Sequence, residues 1–395
     1  MKVLWLSTFP LHELDDKSIF TQEPKSHPTS WVYNLAPELA KDIENIDLHI
    51  LTLTPHIYRD THFVWKGIDL WLMKSGLPFI NKGYPKIFRL DIFTNYCFER
   101  KRLIKKIEEL NPDIVHIHGS EYAYVTLIGK YKKKAVLSIQ GVYSDIFKTS
   151  KHLGDIVQSK IEIKSIRNGI YFGVRTLYDA GFVQQFNNKA ILLTMDEAIS
   201  LNYFNQTWQL NNDISVLFVG YVIRRKGLHV LISALSEIKK TRPRILLKVI
   251  GGSDKGYKIE LNKLIRKYNL QQNVFFLGTK NSTFIAEELA KTTIFVLPSF
   301  FENSSNSLAE AMVVGTPLIA SDVGGVSSMV EDGQNGLLFE AGNEQDLAEK
   351  MLNLLDDNEL MLKLSKNARE RARKRHYPPY VSENTKNAYR KILGL

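Results

Sequence analysis

The chain has 395 residues, 44% apolar and 24% charged, with a formal net charge of +10 and an isoelectric point near 9.3. That length favours two domains over one, and the composition excludes a disordered chain. A single cysteine, Cys97, excludes a disulfide framework and a cysteine-rich metal site and suits a reducing compartment.

The opening run, Met1 to Ser7, is too short and too soon interrupted for a signal peptide, so Val3–Ser7 reads as a first buried strand. A helix over Trp31–Lys41 turns Val32, Leu35 and Leu39 inward, and Leu48–Leu53 is a second strand. Residues 56–96 are long, aromatic and weakly periodic, with Trp65, Trp71, Phe79, Tyr84, Phe88 and Phe93. They read either as a loop with its own apolar cluster or as a wall on which a sugar stacks. Helix Phe98–Leu110, strand Ile114–Ile117, short helix Tyr122–Gly129 and strand Ala135–Ile139 follow.

A polar stretch between Met195 and Ile214 marks the change-over, and the alternation then resumes. Strands are expected at Val216–Val219, Ile245–Ile250, Val274–Leu277, Ile294–Leu297 and Pro317–Ala320, with helices at Leu228–Lys239, Lys258–Tyr268, Thr283–Lys291 and Leu308–Val314. Pro378-Pro379 breaks one helix before a last one, Val381–Leu395. Alternation of this kind in both halves predicts an α/β protein with two doubly wound parallel sheets. No stretch reaches about 18 uninterrupted apolar residues, so no membrane span is expected.

Basic residues gather at Arg100-Lys101-Arg102 with Lys105-Lys106, at Lys132–Lys134 and at Arg371–Arg375. They read as solvated helix faces or as attraction to an anionic membrane surface; no nucleic-acid motif accompanies them.

Chemistry concentrates where the apolar run Thr292–Ser299 gives way to the polar loop FENSSNS and a helix. Strand, polar loop and helix start gather free backbone N–H groups into an anion site. With Asn306 or Ser307 as N-cap, Glu310 falls in the first helical turn, where the dipole favours a carboxylate; Ser307 with Glu310 fits a capping box equally well. Glu302 has no such structural explanation. A second anion cradle is legible where strand Val216–Val219 runs into Gly220-Tyr221-Val222-Ile223-Arg224-Arg225-Lys226-Gly227 before an apolar helix. In the first half, His116 and His118 share one strand face and could in principle pair on a metal, but no further ligands accompany them.

The string Glu302, seven residues, Glu310, Ala311-Met312, Gly315, Pro317 and Gly324-Gly325 resembles the C-terminal domain of retaining glycosyltransferases of the GT-B type, most closely glycosyltransferase family 4. The resemblance is specific over residues 216–340 and loose over residues 1–200. It implies two Rossmann-like domains facing across a cleft: residues 1–200 for the acceptor, 201–375 for the nucleotide sugar, and a helix in 376–395 packing back on the first domain. It makes Lys226 the partner of the donor diphosphate, Glu310 the acceptor of the ribose hydroxyls and Glu302 the carboxylate beside the transferred sugar. Backbone N–H groups of Asn306, Ser307 and Leu308 then face sugar and diphosphate, Gly278-Thr279 opens the base pocket, and His118 lies beside the donor sugar.

Three departures stand out. Tyr221 replaces the family's arginine, which a tyrosine cannot match in charge, so Arg224 or Arg225 is expected to compensate. Gln140 replaces a second histidine. Lys25–Trp31 replaces a glycine-rich loop, leaving Ser30 and Trp31 with Gln140 on the acceptor side. The expected function is retaining, metal-independent transfer of a hexose from a UDP- or GDP-linked sugar to a saccharide, lipid-linked, in cell-surface polysaccharide synthesis. No cofactor or metal is expected beyond the co-substrate. The protein is expected in the cytoplasm, peripheral at the inner membrane face. The alternatives are a sugar-nucleotide-binding partner subunit without catalysis and a GT-B sugar-nucleotide epimerase.

Overall fold

Strands buried on both faces are continuous apolar runs, the pattern of parallel sheets covered by helices. The computed structural model describes residues 1–21, 29–76, 90–148, 150–210 and 214–395, the side chains of residues 13, 30 and 31 excepted. Two compact units result: Met1–Ala198 with Pro378–Leu395, and Ile199–Tyr377.

The first unit contains β1 (Lys2–Leu6), β2 (Asp47–Thr54), β3 (Thr61–Trp65), β4 (Ile68–Lys74), β5 (Ile114–His118), β6 (Ala135–Ser138), β7 (Tyr171–Val174) and β8 (Ile191–Thr194). They form one sheet in the order β3-β4-β2-β1-β5-β6-β7-β8, parallel except for β3. Strand order reverses direction at β1 and β5, so a crevice is expected beyond their carboxyl ends. His118 is the last residue of β5.

Two segments of the first unit differ from the sequence-based expectation. Residues 61–74, expected within an aromatic loop, form the antiparallel β3–β4 hairpin, with Lys66 and Gly67 at φ 51° and 78° in its turn. Two consecutive positive φ values define the tight turn that matches strand twist, here without the usual Asn-Gly signal. Phe79, Tyr84 and Phe88 lie outside the described residues. The other segment had shown no element: it forms helix Leu153–Asn168, β7, helix Leu177–Phe186 and β8. Helix Leu153–Asn168 buries Gln158, Glu162 and Ser165 among its inward residues, so no apolar stripe announces it.

The last helix spans Pro378–Leu393, three residues earlier than expected. Prolines are tolerated in a first turn, where their missing N–H groups have no intrahelical acceptor. This helix packs on helix Ser30–Ala40 and places Tyr389 in the core of the first unit. The Tyr389 hydroxyl accepts from Trp5 Nε1 at 2.9 Å and meets His116 Nδ1 at 2.6 Å; His116 Nε2 lies 2.7 Å from Ser138 Oγ. Trp Nε1 can only donate, so the chain runs in one direction, Trp5 to Tyr389 to His116 to Ser138.

The second unit contains β9 (Ser215–Val219), β10 (Leu246–Ile250), β11 (Val274–Gly278), β12 (Ile294–Leu297), β13 (Leu318–Ser321) and β14 (Leu337–Phe339). Their order is β11-β10-β9-β12-β13-β14, parallel throughout. Order reverses between β9 and β12, which brings together the loops after those two strands.

Replacing Tyr389 by Phe removes one hydroxyl and strands two buried polar groups. The expected cost to the first unit is about 1–3 kcal/mol, read as a lower denaturant midpoint; an unchanged midpoint would show that the network contributes nothing.

Candidate functional site

The loops after β9 and β12 are joined by backbone contacts. Phe300 N–H donates to the Arg225 carbonyl at 2.8 Å, and the Arg225 guanidinium returns a bond to the Phe301 carbonyl at 2.9 Å. Gly227, at φ 68°, lies against Pro298 so closely that a Cβ would stand 1.8 Å from the Pro298 carbonyl oxygen. On the other side a Cβ at Gly324 would stand 2.1 Å from the Glu302 carbonyl oxygen, which accepts from Gly325 N–H at 3.0 Å. Glycine is required at both places. Held this way, Lys226 Nζ lies 2.5 Å from Glu302 Oε1, and the same oxygen accepts from Ser299 Oγ at 2.6 Å. Both side chains are largely buried, 18% and 8% exposed. Removing one partner would leave a desolvated charge, a penalty on the order of 3–5 kcal/mol.

Helix Asn306–Val314 begins two residues earlier than expected, with Ser305 as N-cap and no side-chain capping bond. The Ser307–Glu310 capping box is therefore absent, and Glu310 lies in the second turn. Asn306, Ser307 and Leu308 become the first three helical residues, whose N–H groups have no acceptor within the helix. Glu310 instead accepts a hydrogen bond from Tyr203, whose phenol is pushed well above its ordinary value by burial and by that carboxylate. Tyr203 belongs to the short helix Leu201–Phe204 and is 2% exposed.

Tyr221, exposed beyond the end of β9, flanks Gly252: a Cβ there would meet the Tyr221 ring at 3.0 Å and Thr279 Oγ1 at 3.6 Å. Tyr221, Gly252 and the Gly278-Thr279 corner are thus neighbours at the carboxyl ends of β9, β10 and β11. The two arginines expected to stand in for Tyr221 are engaged elsewhere. Arg224 pairs with Glu260 on helix Lys255–Lys267, while Arg225 braces the loop before Glu302.

On the first unit, His118 stacks on His116 with ring centroids 3.8 Å apart and packs on Trp5 at 4.4 Å. Both nitrogens of His116 are occupied by Tyr389 and Ser138, so the two histidines do not form a metal pair. Burial holds both neutral, His116 down to about 3 and His118 well below 6.5. Gln140 Nε2 lies 3.5 Å from His118 Nδ1. Ser30 opens helix Ser30–Ala40, but the side chains of Ser30 and Trp31 and residues 25–28 fall outside the described residues.

Several residues here escaped the sequence reading. Tyr203 and Ser299 orient the two key glutamates; the buried Arg175–Glu197 pair, 2.6 Å apart, stands beside Gln140. Glu121 folds back over Gly119, and burial pushes its carboxyl up to about 7, with Glu162 adding to the rise. For Ser299 and Arg175 the sequence signal was a polar residue just after an apolar run. Among the described residues one group has metal-ligand geometry: Asp47, His49 and Asp69, with ligand atoms within 4.8 Å of one another. These residues lie near the amino ends of β2 and β4, at the opposite end of the strands from His118.

Residues 202–371, nearly all of the second unit, match the family described as glycosyl transferases group 1. N-acetyl-alpha-D-glucosaminyl L-malate synthase of Bacillus anthracis is 25% identical over 353 residues, covering 83% of this chain and 89% of that protein. Sucrose-phosphate synthase of Thermosynechococcus elongatus is similar in structure, with a TM-score of 0.78 at 18% identity over 100% of this chain and 99% of that one. HepE of Anabaena, solved in complex with UDP-glucose, gives 0.70 at 16% identity over 100% of both chains. The fold is GT-B, and the protein is a glycosyltransferase.

His116 predicts a pH dependence of stability. Unfolded, it titrates at its ordinary 6.5; folded, at about 3. Between those values the unfolded chain holds the extra proton, so this contribution is complete above pH 6.5 and declines as pH falls toward 3. At pH 5 the expected loss is about 2 kcal/mol relative to pH 8. Denaturant midpoints of the first unit across this range would show it, and His116→Gln should flatten the slope. A slope unchanged in that variant would assign the effect to other groups.

Proposed function

We propose that the protein transfers a hexose from a nucleotide diphosphate sugar, UDP- or GDP-linked, to a hydroxyl of a saccharide acceptor, with retention of anomeric configuration and without a metal. The Lys226–Glu302 pair in the loops that lead to the start of helix Asn306–Val314 is the observation that supports this reading most directly. When the donor binds, its diphosphate takes over Lys226 and the first-turn N–H groups. Glu302, released from the lysine, accepts from the sugar hydroxyls and stabilises positive charge at the anomeric carbon. Glu310, oriented by Tyr203, accepts from the ribose hydroxyls, and His118 contacts the transferred sugar. As the anomeric C–O bond breaks, the diphosphate gains charge against Lys226. The acceptor hydroxyl attacks from the same face and gives its proton to the departing diphosphate, so no enzyme nucleophile is needed.

A lipid-linked acceptor in cell-surface polysaccharide synthesis completes the proposal. The basic helix Cys97–Leu110 uses Arg102 on Asp60, and Lys106 on Glu109 and the Trp71 ring. Lys101 and Lys105 remain exposed to meet an anionic surface. The protein should co-sediment with anionic vesicles at low salt and release as salt rises; equal sedimentation with neutral vesicles would remove the membrane from the proposal.

A partner subunit that binds sugar nucleotides without turning them over is the second reading, favoured by Tyr221 and by the Arg224–Glu260 pair. A panel of UDP- and GDP-hexoses, incubated with acceptor extracts in EDTA, separates the readings. We expect nucleoside diphosphate release that depends on acceptor, an α-linked product from an α-linked donor and a loss of at least about tenfold in Lys226→Ala. Glu310→Ala should weaken nucleotide binding by roughly 1.5–3 kcal/mol. Donor binding without turnover would establish the partner-subunit reading. Isomerised donor without acceptor would establish an epimerase, and activity restored only by added metal would overturn metal independence.

A further inference from the structure

Gln140 has a fixed orientation, and Arg175 is the reason. The Arg175 side chain is 5% exposed and its Nη1 lies 2.6 Å from Glu197, itself 2% exposed. The other terminal nitrogen, Nη2, donates to the Gln140 side-chain oxygen. A guanidinium has donors only, so the atom facing it must be the amide oxygen. The amide nitrogen is then turned toward His118, 3.5 Å from Nδ1. An amide nitrogen also only donates, so Nδ1 must present its lone pair; a proton there would set two donors against each other. His118 is neutral because burial, with His116 and Arg175 nearby, lowers its proton affinity. The single ring proton therefore resides on Nε2. That nitrogen is buried without a hydrogen-bond partner among the described residues. His118 lines a cavity of about 20 Å³ together with Gln140, Arg175, Glu197 and Ser138, room for about one water.

We propose that Arg175, locked by Glu197, is a positioning residue that acts through Gln140 to fix His118 as the Nε2–H tautomer, so that the ring offers a hydrogen-bond donor to a single hydroxyl entering the cavity it lines. The proposal rests on the reading of His118 as a sugar-facing residue. The chemistry recognised is an oxygen lone pair, such as that of a hydroxyl. The same assignment denies His118 the role of base at Nε2, which has no free lone pair.

Nitrogen-15 imidazole spectra of the ligand-free, histidine-labelled protein test the tautomer directly, with His118 assigned by the signal lost in His118→Asn. The expected result is a proton on Nε2 and a bare Nδ1; the reverse in the wild-type protein overturns the proposal without any mutant. Gln140→Glu presents an acceptor-only carboxylate to the ring, and should move the proton to Nδ1 or add a second one. A ring still protonated at Nε2 alone in that variant overturns the role of Gln140. Arg175→Lys, which keeps the charge toward Glu197 but loses the planar fork, should yield a mixture of tautomers, and an unchanged single tautomer overturns the role of Arg175. Titration with UDP-glucose then separates this inference from the functional reading. A shifted Nε2–H resonance supports both. An Nε2–H tautomer that ignores every bound donor upholds the assignment and overturns the placement of His118 at the sugar.

Discussion

The second unit depends on the close approach of two loops that belong to strands 75 or more residues apart in sequence. Lys226 and Glu302 meet at 2.5 Å because Phe300 bonds the Arg225 carbonyl, Arg225 bonds the Phe301 carbonyl, and Gly227 lies against the Pro298 carbonyl where no side chain fits. An ion pair this poorly solvated is a weak source of stability in itself. Its value is positional. It holds an ammonium group and a carboxylate in the loops that lead to the start of helix Asn306–Val314, where the proposed function puts the donor diphosphate. Tyr221 stands where the resemblance to glycosyltransferase family 4 puts an arginine, and Arg225 is part of the scaffold that shapes the Glu302 loop.

The first unit works with neutral groups. From Trp5 through Tyr389 and His116 to Ser138, each polar atom has its partner, and burial keeps the histidine uncharged. Because Tyr389 comes from the last helix, the carboxyl-terminal residues are built into the core on which His118 packs. A second buried set, Glu197 with Arg175 and Gln140, approaches His118 from its other side. Buried polar networks of this kind are costly when incomplete and define geometry when satisfied. Among the described residues, His118 Nε2 is the buried atom of this set left without a hydrogen-bond partner.

Much of this was legible in sequence wherever local pattern and burial agree. Five of the six strands of the second unit are apolar runs closed by Gly, Pro or polar clusters, and their positions follow from that pattern to within a residue or two; the three-residue β14 was not expected. Legibility failed where buried surface is polar. Helix Leu153–Asn168 turns Gln158, Glu162 and Ser165 inward, which erases the periodic signal of an amphipathic helix. The β3–β4 hairpin was obscured by its aromatic content and by a Lys-Gly turn. The start of helix Asn306–Val314 was displaced because three consecutive residues, Ser305 to Ser307, can each cap, and the fold selects Ser305.

By itself the sequence determined the α/β class and the division into two halves, which follow from apolar periodicity, and its resemblance to glycosyltransferase family 4 singled out Glu302, Glu310, Lys226 and His118 as candidate site groups. Tertiary structure alone decided their partners. Tyr203 reaches Glu310, Ser299 and Lys226 share one oxygen of Glu302, and Arg175 orients Gln140 toward His118. The Lys226–Glu302 and Arg175–Gln140 pairings join residues that follow separate strands, and they form only when parallel sheets bring loops that are distant in sequence to the same carboxyl edge.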